Sequence, residues 1–120
     1  MTKITKVAFS VYPVTDMRRS REFYEKTLGL NPGDDFGGKW QEYDINGTTF
    51  AISDMISEYI KPGTQSSVNF EVQDLKSICE ELKNKNVKFK MDKIMESPVC
   101  WMVTVADPDG NRVVIHKRKS

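Results

Sequence analysis

Val14-Thr15-Asp16-Met17 returns, 58 positions later, as Val72-Gln73-Asp74-Leu75. Self-similarity at a fixed offset is the mark of a supersecondary unit used twice. Each copy follows an extended, apolar-rich stretch, residues 6–14 and 67–72. Helical periodicity follows each. Leu75, Ile78, Cys79 and Leu82 recur at i, i+3, i+4 and i+7, one face of a helix. Met17, Ser20, Phe23/Tyr24 and Thr27/Leu28 repeat that stripe less cleanly. Asp16 and Asp74 stand where an N-cap belongs, since a carboxylate there accepts from free amides and favours the positive end of the dipole. Gly29 and Asn86 stand where each helix must leave through a left-handed residue.

Both copies then close in a hairpin. Asp44-Ile45-Asn46-Gly47 separates residues 40–43 from residues 48–53, and Asp107-Pro108-Asp109-Gly110 separates residues 100–106 from residues 111–117. Asn-Gly and Asp-Gly tolerate positive φ and are the strongest short hairpin signals. The hairpin glycines lie 63 apart, so the second copy carries about five extra residues after its helix, expected within residues 90–98. The pattern is βαβββ, twice. Residues 54–65, with Lys61-Pro62-Gly63, read as the connection, with one helical turn expected around residues 55–59. The 120 residues are expected to form a single domain, with module one about residues 1–60 and module two about residues 64–120.

Tyr12-Pro13-Val14-Thr15-Asp16-Met17, Arg19-Ser20-Arg21-Glu22-Phe23-Tyr24-Glu25 and Leu28-Gly29-Leu30 resemble the opening of the vicinal oxygen chelate superfamily, the group of glyoxalase I, bleomycin resistance proteins and extradiol dioxygenases. Asp107-Pro108-Asp109-Gly110-Asn111, leading into residues 113–116, resembles that family's last hairpin. The resemblance implies an α+β fold in which two βαβββ modules form an open eight-stranded half-barrel around a ligand cleft. It also implies a homodimer. Because one scaffold hosts metal enzymes and metal-free binders alike, the resemblance does not select an activity.

Metal-dependent members carry a His on the first strand of a module and a Glu or His on the strand after the hairpin. The corresponding positions here are Phe9 and Ser67, and Ala51 and Val114. A catalytic divalent metal needs about three ligands from His, Cys or carboxylate. A slip of one residue does not supply them, and the chain has a single His. No metal and no other cofactor is expected.

Strand alternation gives the cleft lining. Phe9, Val11 and Pro13 face inward, as do Thr49, Ala51 and Ser53, then Ser67, Asn69 and Glu71, then Arg112, Val114 and His116. Tyr12, Val14, Phe50, Ile52, Val68, Phe70, Val72, Val113 and Ile115 face the helices. The expected ligand-binding set is Phe9, Val11, Trp40, Thr49, Ala51, Ser67, Asn69, Glu71, Val114 and His116, a few polar groups in an apolar cleft.

Two readings are open for most of these residues. His116 is a general base or ligand donor, or a partly exposed strand residue bonded to a neighbour. Glu71 is a base whose pKa burial raises, or a rim residue paired with a Lys. Trp40, Trp101, Phe36, Tyr43 and Phe50 stack on a ligand, or fill the core. Met91, Met95 and Met102 form an adaptable wall, or fill the core, the reading favoured here. Cys100, after Ser97-Pro98-Val99, is a nucleophile or, having no His beside it in sequence and no evident cationic neighbour, an inert buried thiol, the reading these neighbours favour. Residues 33–38 lack a phosphate-loop ending and read as a flap.

Eighteen Lys and Arg against seventeen Asp and Glu leave a net charge of +1, which argues against nucleic acid or an anionic membrane as partner. No apolar run approaches a membrane span. With no export-signal core and only Cys79 and Cys100, the expectation is a cytoplasmic protein with reduced thiols. The function these features favour is metal-free binding of a small organic molecule. The alternative is a glyoxalase-like lyase or dioxygenase-type enzyme with a non-standard site of Glu42, Glu71 and His116.

Overall fold

A computed structural model describes residues 7–58, 60–64, 67–91 and 93–119. Contacts divide the chain into Met1–Lys61 and Pro62–Ser120. The first unit runs β1 (Ser10–Pro13), α1 (Met17–Glu22), β2 (Pro32–Asp35), β3 (Trp40–Ile45) and β4 (Thr48–Ser53). The second runs β5 (Val68–Glu71), α2 (Leu75–Asn84), β6 (Met95–Glu96), β7 (Cys100–Ala106) and β8 (Arg112–Arg118). A short 3-10 turn, Ile56–Glu58, follows β4 within the first unit, on the stretch expected to be helical; Tyr59 is outside the described residues. Each unit is βαβββ, the α+β repeat that the sequence implies.

The two sheets have one topology. Their strand orders are β1-β4-β3-β2 and β5-β8-β7-β6. In each, the first strand runs parallel to the last, and the other pairs are antiparallel. Even the exit from the first strand repeats: Val14 N–H donates to Ser53 O at 3.0 Å, and Val72 N–H to His116 O at 2.9 Å.

The helices begin where the carboxylates stand. Asp16 accepts from Arg19 N–H and Asp74 from Ser77 N–H, each at 3.1 Å. Gly29 and Asn86 take the left-handed exits, at φ 80° and 60°. The first helix departs from the expected periodicity after one and a half turns. Residues Phe23–Thr27 form a wider π turn, closed by Leu28 N–H to Phe23 O at 2.9 Å. That widening lets consecutive aromatics, Phe23 and Tyr24, both go inward. Tyr24 then packs on Tyr43 and Phe50, with Tyr12 edge-on to Phe50. This aromatic cluster is the core of the first unit. In the second, Leu75, Cys79 and Leu82 are the buried residues of α2, and Val103, Val105, Val113 and Ile115 are the buried residues of β7 and β8 that face it.

The two hairpins differ. Asn46 and Gly47 both have positive φ, 52° and 89°, a two-residue turn of the kind expected. In the second, only Gly110 does, because Pro108 fixes its own φ negative and Asp107 organises a longer loop. Asp107 Oδ1 accepts from the N–H groups of Asp109 and Asn111 at 2.9 and 2.8 Å, and its Oδ2 from Asn111 Nδ2 at 2.8 Å. Asn111 Oδ1 accepts in turn from Gly63 N–H at 2.7 Å.

The extra residues of the second copy fall where expected. Phe89 bridges to Val105, with Lys90 N–H on Thr104 O and Ala106 N–H on Lys88 O. This is the counterpart of β2 on β3. Only after residue 90 does the chain make the additional excursion that returns through β6 to pair with Trp101 and Met102.

Candidate functional site

Residues directly opposite in register share a face. In the first sheet Val11, Ala51 and Glu42 lie in one row. Thr49 lies opposite Asp44, and Trp40 opposite Ser53. Phe9, just before β1, sets its ring edge-on to Trp40 with centroids 5.2 Å apart. The helix side of the same sheet carries Tyr12, Tyr43, Phe50 and Ile52, all buried. Phe9, Val11, Trp40, Thr49 and Ala51 thus share the face away from the helix. Ala51 is wholly covered, being small and set between Val11 and Glu42. Phe9 is 44% exposed. Glu42 Oε2 accepts from the Trp40 indole N–H at 3.1 Å.

In the second sheet Asn69, Val114 and Thr104 form one row, and Glu71, His116 and Met102 the next. Ser67 immediately precedes β5. Glu71 and His116 are joined: His116 Nδ1 lies 2.5 Å from Glu71 Oε1, and Glu71 Oε2 accepts from Arg118 N–H at 2.8 Å.

Two expectations for Glu71 are corrected here. It is exposed, and its partners are His116 and a backbone amide rather than a Lys. Its pKa moves down, not up: the Arg118 amide and then His116 stabilise the carboxylate, outweighing the small opposing effect of burial. A carboxylate held ionised in this way is an orienting group for the imidazole. The reading of His116 as a strand residue bonded to a neighbour describes its position.

The other candidates separate. Tyr43 and Phe50 are core, and Phe36 is exposed. Trp101 lies on the helix side of its sheet, lining a cavity of about 210 Å3 with Leu75 and Ile94, and Lys119 Nζ sits 4.9 Å over its ring. Met95 is 49% exposed and so does not fill the core, while Met91 and Met102 are half-buried. Burial pushes the Tyr43 phenol far above its ordinary range, reinforced by the Glu25 carboxylate to which its O–H donates at 2.9 Å.

A cavity of about 320 Å3 lies at the open end of β7 and β8, lined by Pro98, Val99, Cys100, His116, Arg118 and Lys119. Sequence distance had separated Cys100 from any His. Register reunites them, because Cys100 pairs with Arg118 and Met102 with His116. Counting outward from the Asp109-Gly110 turn would have placed Cys100 and His116 on one face.

The family's metal positions do not fit a metal. Phe9, Ala51 and Val114 have no donor atom, and Ser67 offers one hydroxyl, a poor ligand for a divalent ion. Among the described residues no group of three or more His, Cys, Asp or Glu side chains is placed to hold one.

The model of the Glyoxalase/Bleomycin resistance protein/Dioxygenase superfamily matches residues 4–115, and the chain belongs to that superfamily. No curated protein sequence matches it. Among solved structures, the fold is similar to that of an antibiotic binding protein from Streptomyces sp. CB03234, with TM-score 0.85 and 22% identity over 99% of this chain and 100% of that one. It is also similar to a lactoylglutathione lyase from Agrobacterium tumefaciens (TM-score 0.77, 14% identity, 95% and 94% covered). An integron cassette protein of V. cholerae matches at TM-score 0.77 and 17% identity, with 98% of each chain covered. At these identities the likeness is one of fold. No helix among the described residues is long and apolar enough to cross a membrane.

Proposed function

We propose that this chain binds a small organic molecule against the faces of its sheets that lie away from the helices, without a metal at the superfamily's metal positions. The observation that carries this reading is the donor set: Phe9, Ala51, Ser67 and Val114 stand where ligands would be needed. Val11, Trp40 and Phe9 supply apolar and aromatic surface, and Thr49, Asn69, Glu71 and His116 supply polar groups that orient a ligand. That one structural neighbour is an antibiotic binding protein is in keeping with this use of the scaffold. The net charge of +1 disfavours nucleic acid and anionic lipid as partners. We read the protein as cytoplasmic and homodimeric, the dimer covering sheet edges that a single chain leaves open.

A thermal-shift screen of aromatic and carbonyl-bearing small molecules, run with and without EDTA, tests the reading. Stabilisation that survives EDTA supports it. Stoichiometric zinc, nickel, manganese or iron in protein purified without a metal-affinity tag refutes the metal-free part, and light scattering at micromolar concentration tests the dimer.

The Glu71–His116 pair favours a second reading, an enzyme working by acid–base chemistry. Turnover of any stabilising compound, lost in His116→Asn, would distinguish it from a binder.

A further inference from the structure

Cys79 and Cys100 are equally buried, each 7% exposed. Exposure alone therefore predicts equal reactivity. Their surroundings differ. Cys79 lies on the buried face of α2, and burial pushes its thiol up, which suppresses nucleophilicity. Cys100 lines a cavity with the chain's one histidine.

The geometry at Cys100 has the parts of an activated thiol. Cys100 and His116 are diagonal neighbours on one face of the β7–β8 pair, a cross-strand placement that typically spans about 7–8 Å, within reach of long side chains. The imidazole is oriented by Glu71. An ionised carboxylate can only accept, so Nδ1 carries the proton in the Glu71 bond. The neutral ring then keeps its lone pair on Nε2, the tautomer a general base needs. At the thiol, Ser97 Oγ accepts from the N–H groups of Val99 and Cys100 at 3.2 and 3.1 Å. The hydroxyl lies 3.2 Å from Cys100 Sγ, a contact in which either atom can donate, and it also reaches Cys100 O at 3.4 Å. Pro98 and Val99 supply an apolar wall, and Arg118, opposite Cys100 in register, supplies positive charge.

We propose that Cys100 is a nucleophilic thiol that takes a soft carbon electrophile of the α,β-unsaturated carbonyl class, with His116 as its base and Glu71 as the group that positions His116. The thiol proton passes to His116 Nε2, directly or through one water. The sulfur lone pair forms the S–C bond at the β-carbon while the C=C π pair moves toward the carbonyl oxygen. Arg118 supports the charge that develops there. The imidazolium returns its proton to the α-carbon, so the step is an addition that needs no oxidant. The charged and titratable groups around the imidazole are Glu71 from β5, Cys100 from β7, and Arg118 and Lys119 from the end of β8. Lys119 Nζ is engaged by Glu96 at 2.5 Å. The proposal shares Glu71 and His116 with the binding reading above but does not depend on it.

N-ethylmaleimide, itself an α,β-unsaturated carbonyl compound, is the probe. The folded full-length chain is labelled with a limiting amount and mapped by peptide mass. Cys100 is expected to label about tenfold or more faster than Cys79, the scale of a modest general-base effect. Denaturation in urea should abolish that preference. His116→Asn should remove the preference in protein whose melting temperature shows it folded. Glu71→Gln should slow Cys100 and shift the pH profile of its labelling rate, which a merely structural carboxylate would not do. Equal labelling of the two cysteines in the folded wild type overturns the proposal, with no variant needed. So does Cys100 labelling that is unchanged in His116→Asn. A ligand that still raises the melting temperature of Cys100→Ser separates failure here from failure of the binding reading.

Discussion

Asp107→Ala should be among the most destabilising single substitutions in the chain. Asp107 is 4% exposed, and its carboxylate accepts hydrogen bonds from Asp109 N–H, Asn111 N–H and Asn111 Nδ2, between 2.8 and 2.9 Å. Asn111, 1% exposed, passes the network on to Gly63 N–H. Truncation at Asp107 strands donors that water reaches poorly. A buried donor left unsatisfied costs about 1–3 kcal/mol. The three share one loop and relax together, so the losses do not add fully. The expected destabilisation is about 3–4 kcal/mol, a large part of the roughly 5–15 kcal/mol available to a typical domain. Asp107→Asn keeps one acceptor oxygen and should cost about half as much. Urea unfolding followed by tryptophan fluorescence measures both, with the m-value checking that the unfolded state is unchanged. A loss below about 1 kcal/mol for Asp107→Ala would refute the view that this loop is held by its buried carboxylate.

Other consequences are smaller. Asp16→Ala and Asp74→Ala should each cost about 1 kcal/mol by removing an N-cap, and neither should change ligand binding; lost binding at an unchanged melting temperature would contradict their structural role. Spectrophotometric titration should find that Tyr43 does not ionise until the protein unfolds at high pH, and Tyr43→Phe should reduce the late-ionising component by one tyrosine. Glu71 has a folded pKa below its ordinary 4.5, so the unfolded chain binds its proton more readily. Its contribution to stability is complete above about pH 4.5 and fades as pH falls through the lower folded value. Glu71→Gln should therefore flatten the acid limb of the stability profile, and an acid limb that superimposes on the wild type would refute the pairing.

The repeat, the caps and the first turn were legible in the sequence because each is local. Asp16 meets an amide three residues on, and Asn46-Gly47 needs only its own φ angles. Facing was legible too, since alternation along a strand is independent of what the strand pairs with. The departures arose where neighbours in space overrode neighbours in sequence. The widened turn after Glu22 answers the packing of Tyr24 against Tyr43 and Phe50, which no periodicity encodes. Pro108 looked like part of a tight turn, yet the buried Asp107–Asn111 pair makes the loop longer. Glu71 reads from sequence as a base or a lysine partner. Only the parallel pairing of β5 with β8 sets it beside His116, and only the antiparallel pairing of β7 with β8 sets Cys100 in the same cavity. Residue type and spacing determine which strands and helices form, because backbone preference acts over a few residues. Register decides which side chains meet across them, and chemistry between residues 16 or 45 positions apart exists only once the sheet has closed.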